Sequence, residues 1–507
     1  NAVNNINIAS GGTLTQNNDD TQTLTGTLTV ESGGTLTHGD HAYVDGDSQL
    51  YEVDFSAANI TIEDGGAVDV DGLGHEGGGH SQDGNGTGGG FFATYADGSG
   101  GGHHGNGGMD VEGDAGGVGY MSIYDPSTLG SGGGGGGCCS LAGGDGGGLV
   151  ILQATGTIDI SGTITADGTS GIETGGGGAG GGIKLVADII TNTDAVDDFS
   201  VIGGNGGSYG AGGGGGGGVY IEFTTSNSIA SSDIDHYGGA KGGSAEDGGA
   251  GIVAIYDTDS GDSASLYSDN GARDGATSTQ AAASVTAKNI DLQNNAEYTI
   301  PSGGSLTLND PDNSPVENGD GTGIIRVTEG TLYANATLTI QDAILEMHQT
   351  GTLSGVSTLN ITGTDAGEMG YLDLRYFTSS LAFSIATLNL NAYSMLTHGE
   401  NTEGNGEHAV NVSATTININ ADAEVDVDGR GHQGSKIQTT DGFGPAAGVY
   451  GGYASGTGAG HGGDGGNDTD GDAGTAADVD IANIATFGSG GGGRGSALSG
   501  NGGDGGG

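Results

Sequence analysis

Aspartate recurs at alternate positions inside glycine turns: Asp69 and Asp71 in VDVDG, Asp426 and Asp428 in the same five letters later in the chain, and Asp468, Asp470 and Asp472 in NDTDGDAG. Calcium takes several oxygen ligands, and closely spaced carboxylates together with the carbonyls of a glycine turn supply that chemistry. These aspartates are the candidate metal ligands, and calcium is the only cofactor the sequence suggests. Their spacing is not that of an EF-hand, because Gly471 separates Asp470 from Asp472 and no glutamate follows at the required distance. The nonapeptide repeat GGxGxDxUx is not reproduced either. Solvated acidic turns are the alternative reading of the same residues.

Histidines recur in matched pairs, His38 with His398, His75 with His432 and His103 with His461. A transition-metal site needs three or four such donors to converge, and His80, His104 and the cysteines Cys138 and Cys139 have no counterparts in the second copy. Adjacent cysteines cannot form a disulfide framework; a vicinal ring, a bridge between chains and two reduced thiols all stay open. Catalysis on acidic sugars needs carboxylates at set separations with basic partners. The nine Lys and Arg residues, spread from Lys184 to Arg494, form no such constellation, so the chain reads as a non-enzyme.

The charge balance supports that reading. Nine basic against 64 acidic residues give a formal charge of −55, which disfavours nucleic acid and anionic membranes as partners and calls for cations that screen self-repulsion. A saline or calcium-containing exterior suits such a chain, so an extracellular or cell-surface location is expected. No run of about 18 apolar residues is present to form a transmembrane helix. The sequence opens NAVNN without an initiator methionine or a leader, which is expected of a processed or partial product.

Glycine supplies 118 of 507 residues and proline five, so the chain is neither an average globular domain nor collagen. The residues named above must therefore be positioned by repeats. One repeat is apolar alternation, a two-glycine turn and alternation again: INIASGGTLT from Ile6, LTVESGGTLT from Leu28, ITIEDGGAVDV from Ile60 and YTIPSGGSLTL from Tyr298. Period-2 alternation predicts strand, turn, strand, with Ile, Leu and Val on one face. A second repeat runs glycine into a strand, as GGGLVILQ, GGGIKLVA, GGGVYIEF and GAGIVAIY, at spacings of 34, 36 and 33 residues. A fixed period of this size predicts a stacked array. A third returns THG, VDVDGxGH and GGDGGG after 357 to 360 residues, so the chain carries one copy and part of another.

These patterns predict an all-β chain folded as a β-solenoid, or parallel β-helix, with polyglycine-II-like excursions in which residues lacking Cβ let backbones pack side by side. The expected organisation is solenoid rungs over 1–75, a glycine-rich region over 76–148, strand and glycine-run repeats over 149–260, a polar connection over 261–290, rungs again over 291–425 and a second glycine-rich region over 426–507. Through rungs such as ESGGTLT and EDGGAVDV, the chain resembles the glycine-rich tandem-repeat β-solenoid proteins of microbial surfaces, giant adhesins and extracellular filaments. Tracts such as GAGGGG at 210–215 resemble polyglycine-II bundles. The resemblance implies secretion and a structural role: a filament component whose partners are copies of itself or flanking repeats end to end. Its alternatives are an adhesin for cell-surface polysaccharide or ice, the latter through Thr-x-Thr steps such as TLTGTLT, and a polysaccharide-degrading β-helix.

Overall fold

A computed structural model describes residues 3–41, 49, 51–92, 97–137, 142–193, 199–273, 275, 278–279, 284–309, 316–317, 323–377, 381–399, 401, 408–432, 447 and 459. The chain divides into two compact units, unit 1 comprising Asn1–Ile325 with Gly330–Ala334, and unit 2 comprising Arg326–Glu329 with Asn335–Gly507. The division falls inside the stretch 291–425. Among the described residues the regular structure is strand, apart from one 3-10 turn at Ser231–Asp233, and no helix is long and apolar enough to cross a membrane. The all-β parallel solenoid expected from the sequence is the observed fold.

In unit 1 each short repeat forms its strand, turn and strand, as Ile6–Ile8 with Thr13–Gln16, Thr27–Val30 with Thr35–His38, and Asn59–Ile62 with Ala67–Asp69. The turn is set by glycine. Gly11, Gly33 and Gly65 have φ of 75°, 78° and 76°, and the N–H of the following glycine bonds back to the carbonyl three residues earlier, as in Gly34 to Glu31 at 2.7 Å. That combination needs a residue at φ > 0 in the third position of the turn. Successive rungs pair in parallel without slippage. Ile6 lies against Leu28, Leu28 against Ile60 and Ile60 against Ile158. Leu14, Leu36, Val68 and Ile164 form the neighbouring column. The inward residues of these columns fill one elongated core.

The glycine-run strands Leu149–Ala154, Gly182–Asn192, Gly218–Asn227 and Ile252–Asp257 continue the stack in parallel. The segment 261–290, expected to be a polar connection, instead carries the strands Ser265–Asp269 and Ser284–Ala287, the first antiparallel to Ile252–Asp257. The reason is its own alternation, which buries Ala264, Leu266, Val285 and Ala287.

Between the strands, the glycine tracts pack against one another through main-chain hydrogen bonds of period three. Along the tract Gly212–Gly217, the N–H groups of Gly212 and Gly215 bond to the carbonyls of Gly98 and Gly101, those of Gly213 and Gly216 to Glu246 and Gly249, and those of Gly214 and Gly217 to Gly204 and Val201. The tract Gly176–Gly181 repeats the scheme, with Gly177 and Gly180 bonding to Gly212 and Gly215, Gly176 and Ala179 to Gly134 and Ser131, and Gly178 and Gly181 to Thr169 and Ala166. An extended helix of three residues per turn points successive N–H groups in three directions and satisfies none of them internally, so only neighbours can pair them. Side chains are excluded at the glycines of these two tracts, and Ala179 is the one residue in them that carries a Cβ. A Cβ on Gly177, Gly213 or Gly214 would overlap the carbonyl oxygen of Gly204, Gly239 or Gly178 respectively.

Unit 2 repeats the solenoid without glycine tracts in its described part. Thr352–Thr362, Phe383–Leu390 and Val412–Ile419 form one parallel ladder. Ile344–His348, Gly370–Arg375, Ser394–His398 and Glu424–Val425 form another. Leu359, Leu388 and Ile417 share a column, as do Leu345, Leu372 and Leu396.

Candidate functional site

The acidic turns are built the same way in both units. The Asp71 N–H donates to Asp69 Oδ1 at 3.2 Å, and the Asp428 N–H donates to Asp426 Oδ1 at 2.9 Å. Each first aspartate thus closes a local turn, as short acidic side chains do. Asp71 in turn accepts from the Asp167 N–H of the next rung at 2.7 Å, and Asp167 accepts from Ser200 Oγ at 2.6 Å and the Ile202 N–H at 2.8 Å. Burial, with the neighbouring charges of Asp71 and Asp235, pushes the Asp167 carboxyl up to about 6 against those two bonds. Asp71 and Asp167 thus each accept from a backbone N–H of the next rung, and Asp69 from one in its own turn. Among the described residues no group of three His, Cys, Asp or Glu side chains is arranged to hold a metal ion. Asp468, Asp470 and Asp472 lie outside the described residues, as do His461 and the cysteine pair.

One matched pair of histidines, His38 and His398, anchors to main-chain groups at the rung ends. His38 Nδ1 lies 2.7 Å from the Gly39 carbonyl and its Nε2 accepts from the Leu149 N–H at 3.2 Å. A carbonyl can only accept and an N–H only donate, so the ring is neutral with its proton on Nδ1. Burial holds its pKa at about 4, well below the ordinary imidazole value. In unit 2 His398 Nδ1 makes the same contact to Gly399 at 2.7 Å. His236 is held in the same tautomer by the Ile234 carbonyl at 2.8 Å and the Asp269 N–H at 2.9 Å. It borders a pocket of about 180 Å³ with Ser231, Tyr267, Asp269 and Gln293. Both of its ring nitrogens are already engaged, and the pocket is smaller than the few hundred Å³ of a typical ligand site.

A row of charged side chains along one column of unit 2 was not singled out from the sequence. Glu346 Oε1 accepts from Arg326 Nε and from His348 Nε2, each at 2.7 Å, and Arg375 Nη2 lies 3.5 Å from Oε2. The same Arg375 nitrogen sits 2.7 Å from Asp373 Oδ2. Burial opposes ionisation of Glu346, but the bonds from His348 and Arg326 and the charges of both arginines outweigh it and hold the carboxyl at about 2. Asp373 is raised, because its burial outweighs what Arg375 returns. Tyr376 packs between His348 and His408, with centroid separations of 5.3 and 4.6 Å and ring planes tilted by 51° and 45°. The signal was the register. ILEMH and YLDLR place Glu346 opposite Asp373 and His348 opposite Arg375. Spacing along the chain could not show this, since the parallel pairing of the two strands decides which residues face each other. Glu346 is engaged on both oxygens within the row, whereas Asp373 Oδ1 is buried without a hydrogen-bond partner.

Together the stacked rungs define a parallel β-solenoid, with glycine tracts of unit 1 hydrogen-bonded to one another through the main chain. No known protein family, curated protein or solved structure matches the chain.

Proposed function

We propose that the chain is a structural component of an extracellular surface filament, assembled from stacked repeats. The observation that carries this reading is the threefold hydrogen bonding of the glycine tracts. It ties Gly212–Gly217 to three separate neighbours through the main chain, so a load applied to one rung is shared by backbone bonds in several directions. The high negative charge keeps such a surface soluble and favours a cation-rich exterior. Negative-stain microscopy and sedimentation of the purified chain in calcium-containing saline test the proposal. Linear particles that lengthen with concentration are expected, and particles of one fixed compact size at every concentration would overturn it.

A second reading, attachment to ice, is favoured by one observation. Thr13 and Thr15 lie in register with Thr35 and Thr37, and Thr163 and Thr165 fall in the same two columns. Ala67 and Asp69 interrupt the array. A thermal hysteresis measurement decides this reading, and a null result removes it.

A further inference from the structure

We infer that His38 and His41 form an acid-released clasp that holds both ends of the glycine-rich excursion, residues 74–148, to the solenoid, and that protons from the medium open it locally while the rungs stay folded. The clasp is independent of whether the chain assembles into filaments.

The excursion leaves the solenoid after Leu73, beyond the strand Ala67–Asp69, and returns at Leu149, where the strand Leu149–Ala154 begins. Its two ends lie together: the Gly74 N–H donates to the Gly146 carbonyl at 2.7 Å, and the Gly148 N–H to the Val70 carbonyl at 2.9 Å. Each end is also held by a histidine. His41 Nδ1 lies 2.8 Å from the Leu73 carbonyl, and His38 Nε2 lies 3.2 Å from the Leu149 nitrogen. The two rings meet edge to face with centroids 5.6 Å apart. His38 reaches the returning end because residue 148 is glycine, since a Cβ there would overlap His38 Nε2.

Both rings are wired in the same sense. His41 Nε2 accepts from the Tyr51 N–H at 3.0 Å, so a carbonyl on Nδ1 and an N–H on Nε2 fix the same neutral tautomer as in His38. A second proton on either ring must go to Nε2, where it faces the backbone N–H that now donates there. The side chains of His38 and His41 are 2% and 1% exposed, so the cation would also be cut off from water. Burial pushes both imidazoles below their ordinary value, His38 to about 4, against the pull of the bonded carbonyls and of Asp40. A charge on His41 would lower His38 further. The other titratable groups around the pair are Tyr51 and His75, with rings 5.2 and 6.5 Å from that of His41. Asp145, which feels the charges of Asp40 and Glu76, accepts from the Gly77 N–H at 2.7 Å. Opening the neck returns both rings to water and to their ordinary proton affinity. The clasp is therefore complete above about pH 6.5 and weakens as the pH falls toward 4.

The second copy carries half of this clasp in a form that cannot titrate. Asn401 stands three residues after His398, as His41 stands three after His38, and Arg430 in VDVDGRGH holds the place of Leu73 in VDVDGLGH. Asn401 Nδ2 donates to the Arg430 carbonyl at 2.9 Å, the bond that His41 makes to Leu73. An amide supplies the same donor with no nitrogen that can take a proton at these pH values.

Hydrogen exchange of the full chain, read by mass spectrometry at pH 7 and pH 5 and corrected for the chemical pH dependence of exchange, tests the clasp. The segment containing Leu149 should lose protection about 20-fold between the two, the factor for a pKa of about 6.5 in the open neck and about 4 in the closed one. The segment containing Tyr51 should lose protection with it, while the core rung Thr157–Ile160 should not change. His38→Gln with His41→Asn keeps a donor and an acceptor at each place, and its protection at pH 5 should match that at pH 7. If circular dichroism shows that this double variant lacks the strand content of the parent, His41→Asn alone, which copies Asn401, should still abolish the change at Tyr51. Equal protection at both pH values in the parent, an undiminished acid loss in the variant, or an equal loss in Thr157–Ile160 would each overturn the clasp.

Discussion

The imidazole of His38 accepts a 3.2 Å hydrogen bond from the backbone N–H of Leu149, a residue 111 positions further along the chain. Between them runs the whole glycine-rich excursion of the first copy, and the contact is where that excursion rejoins the solenoid. The pin works only with a neutral ring, since a protonated Nε2 could not accept. Three consequences of the chemistry described above can be measured directly, and a fourth concerns the glycine packing.

The His38 imidazole should remain neutral, with its proton on Nδ1, down to about pH 4. Between the ordinary histidine pKa of about 6.5 and that value, the unfolded chain binds a proton that the folded chain does not. The His38 contribution to stability is thus complete above pH 6.5 and lost as the pH falls toward 4. Nitrogen-15 NMR of labelled histidine should show the Nδ1–H tautomer without titration from pH 8 to 5. A His38 resonance that titrates near 6.5 would remove the pin.

Glu346 should behave in the opposite chemical sense. Its carboxyl is held at about 2, so its stabilisation is present above its unfolded pKa of about 4.5 and fades as the pH drops below that toward 2. Replacing one member of a partly buried ion network leaves the others uncompensated, so Glu346→Gln should cost about 3 kcal/mol in urea denaturation. The quadruple variant Glu346→Leu/Arg326→Met/Asp373→Leu/Arg375→Met, which removes the charges of the row together, should recover much of that loss.

The amide ladder of unit 2 offers a graded test. Asn389 both donates to Asn360 and accepts from Asn418, whereas Asn418 sits at the end of the row. Asn389→Ala removes two bonds and Asn418→Ala one, so the first should lose about 2 kcal/mol and the second about 1 kcal/mol. Equal losses would mean that the ladder does not act as a connected row.

Two glycine substitutions separate close approach from backbone freedom. Gly261 has φ of 72° with nothing near its would-be Cβ, while a Cβ at Gly213 would strike the Gly239 carbonyl. Gly261→Ala should cost about 1 kcal/mol, from conformation alone. Gly213→Ala should cost about 3 kcal/mol, at the upper end of ordinary overpacking, because the obstacle is main chain that cannot rotate away. Hydrogen exchange at Gly212–Gly217 should accelerate in the second variant only.

Much of the architecture was legible in the sequence because a solenoid rung is a local object. Alternation in INIASGGTLT fixes which side chains face inward, and a glycine at φ > 0 in each turn fixes the corner, so strands, turns and parallel stacking follow from letters close together. At Asp69 and Asp71 the same local logic stops short: their spacing suggests calcium, and only the structure shows that the two carboxylates also accept from backbone N–H groups, one within the turn and one on the next rung. Hydrogen-bond partners supplied by a neighbouring rung are invisible to spacing along the chain.

What the sequence determined by itself is the period: the rung, its glycine corner, the duplication after some 358 residues and the net charge of −55. Tertiary structure alone decided which tract lies beside which, that Gly98, Glu246 and Gly204 serve three successive N–H groups of one tract, and that Glu346 and Arg375 meet across rungs. The physical reason is that glycine tracts are chemically identical. Their pairing is fixed by where the flanking strands anchor them and by the absence of any Cβ, and neither of those is written in the order of the residues within a tract.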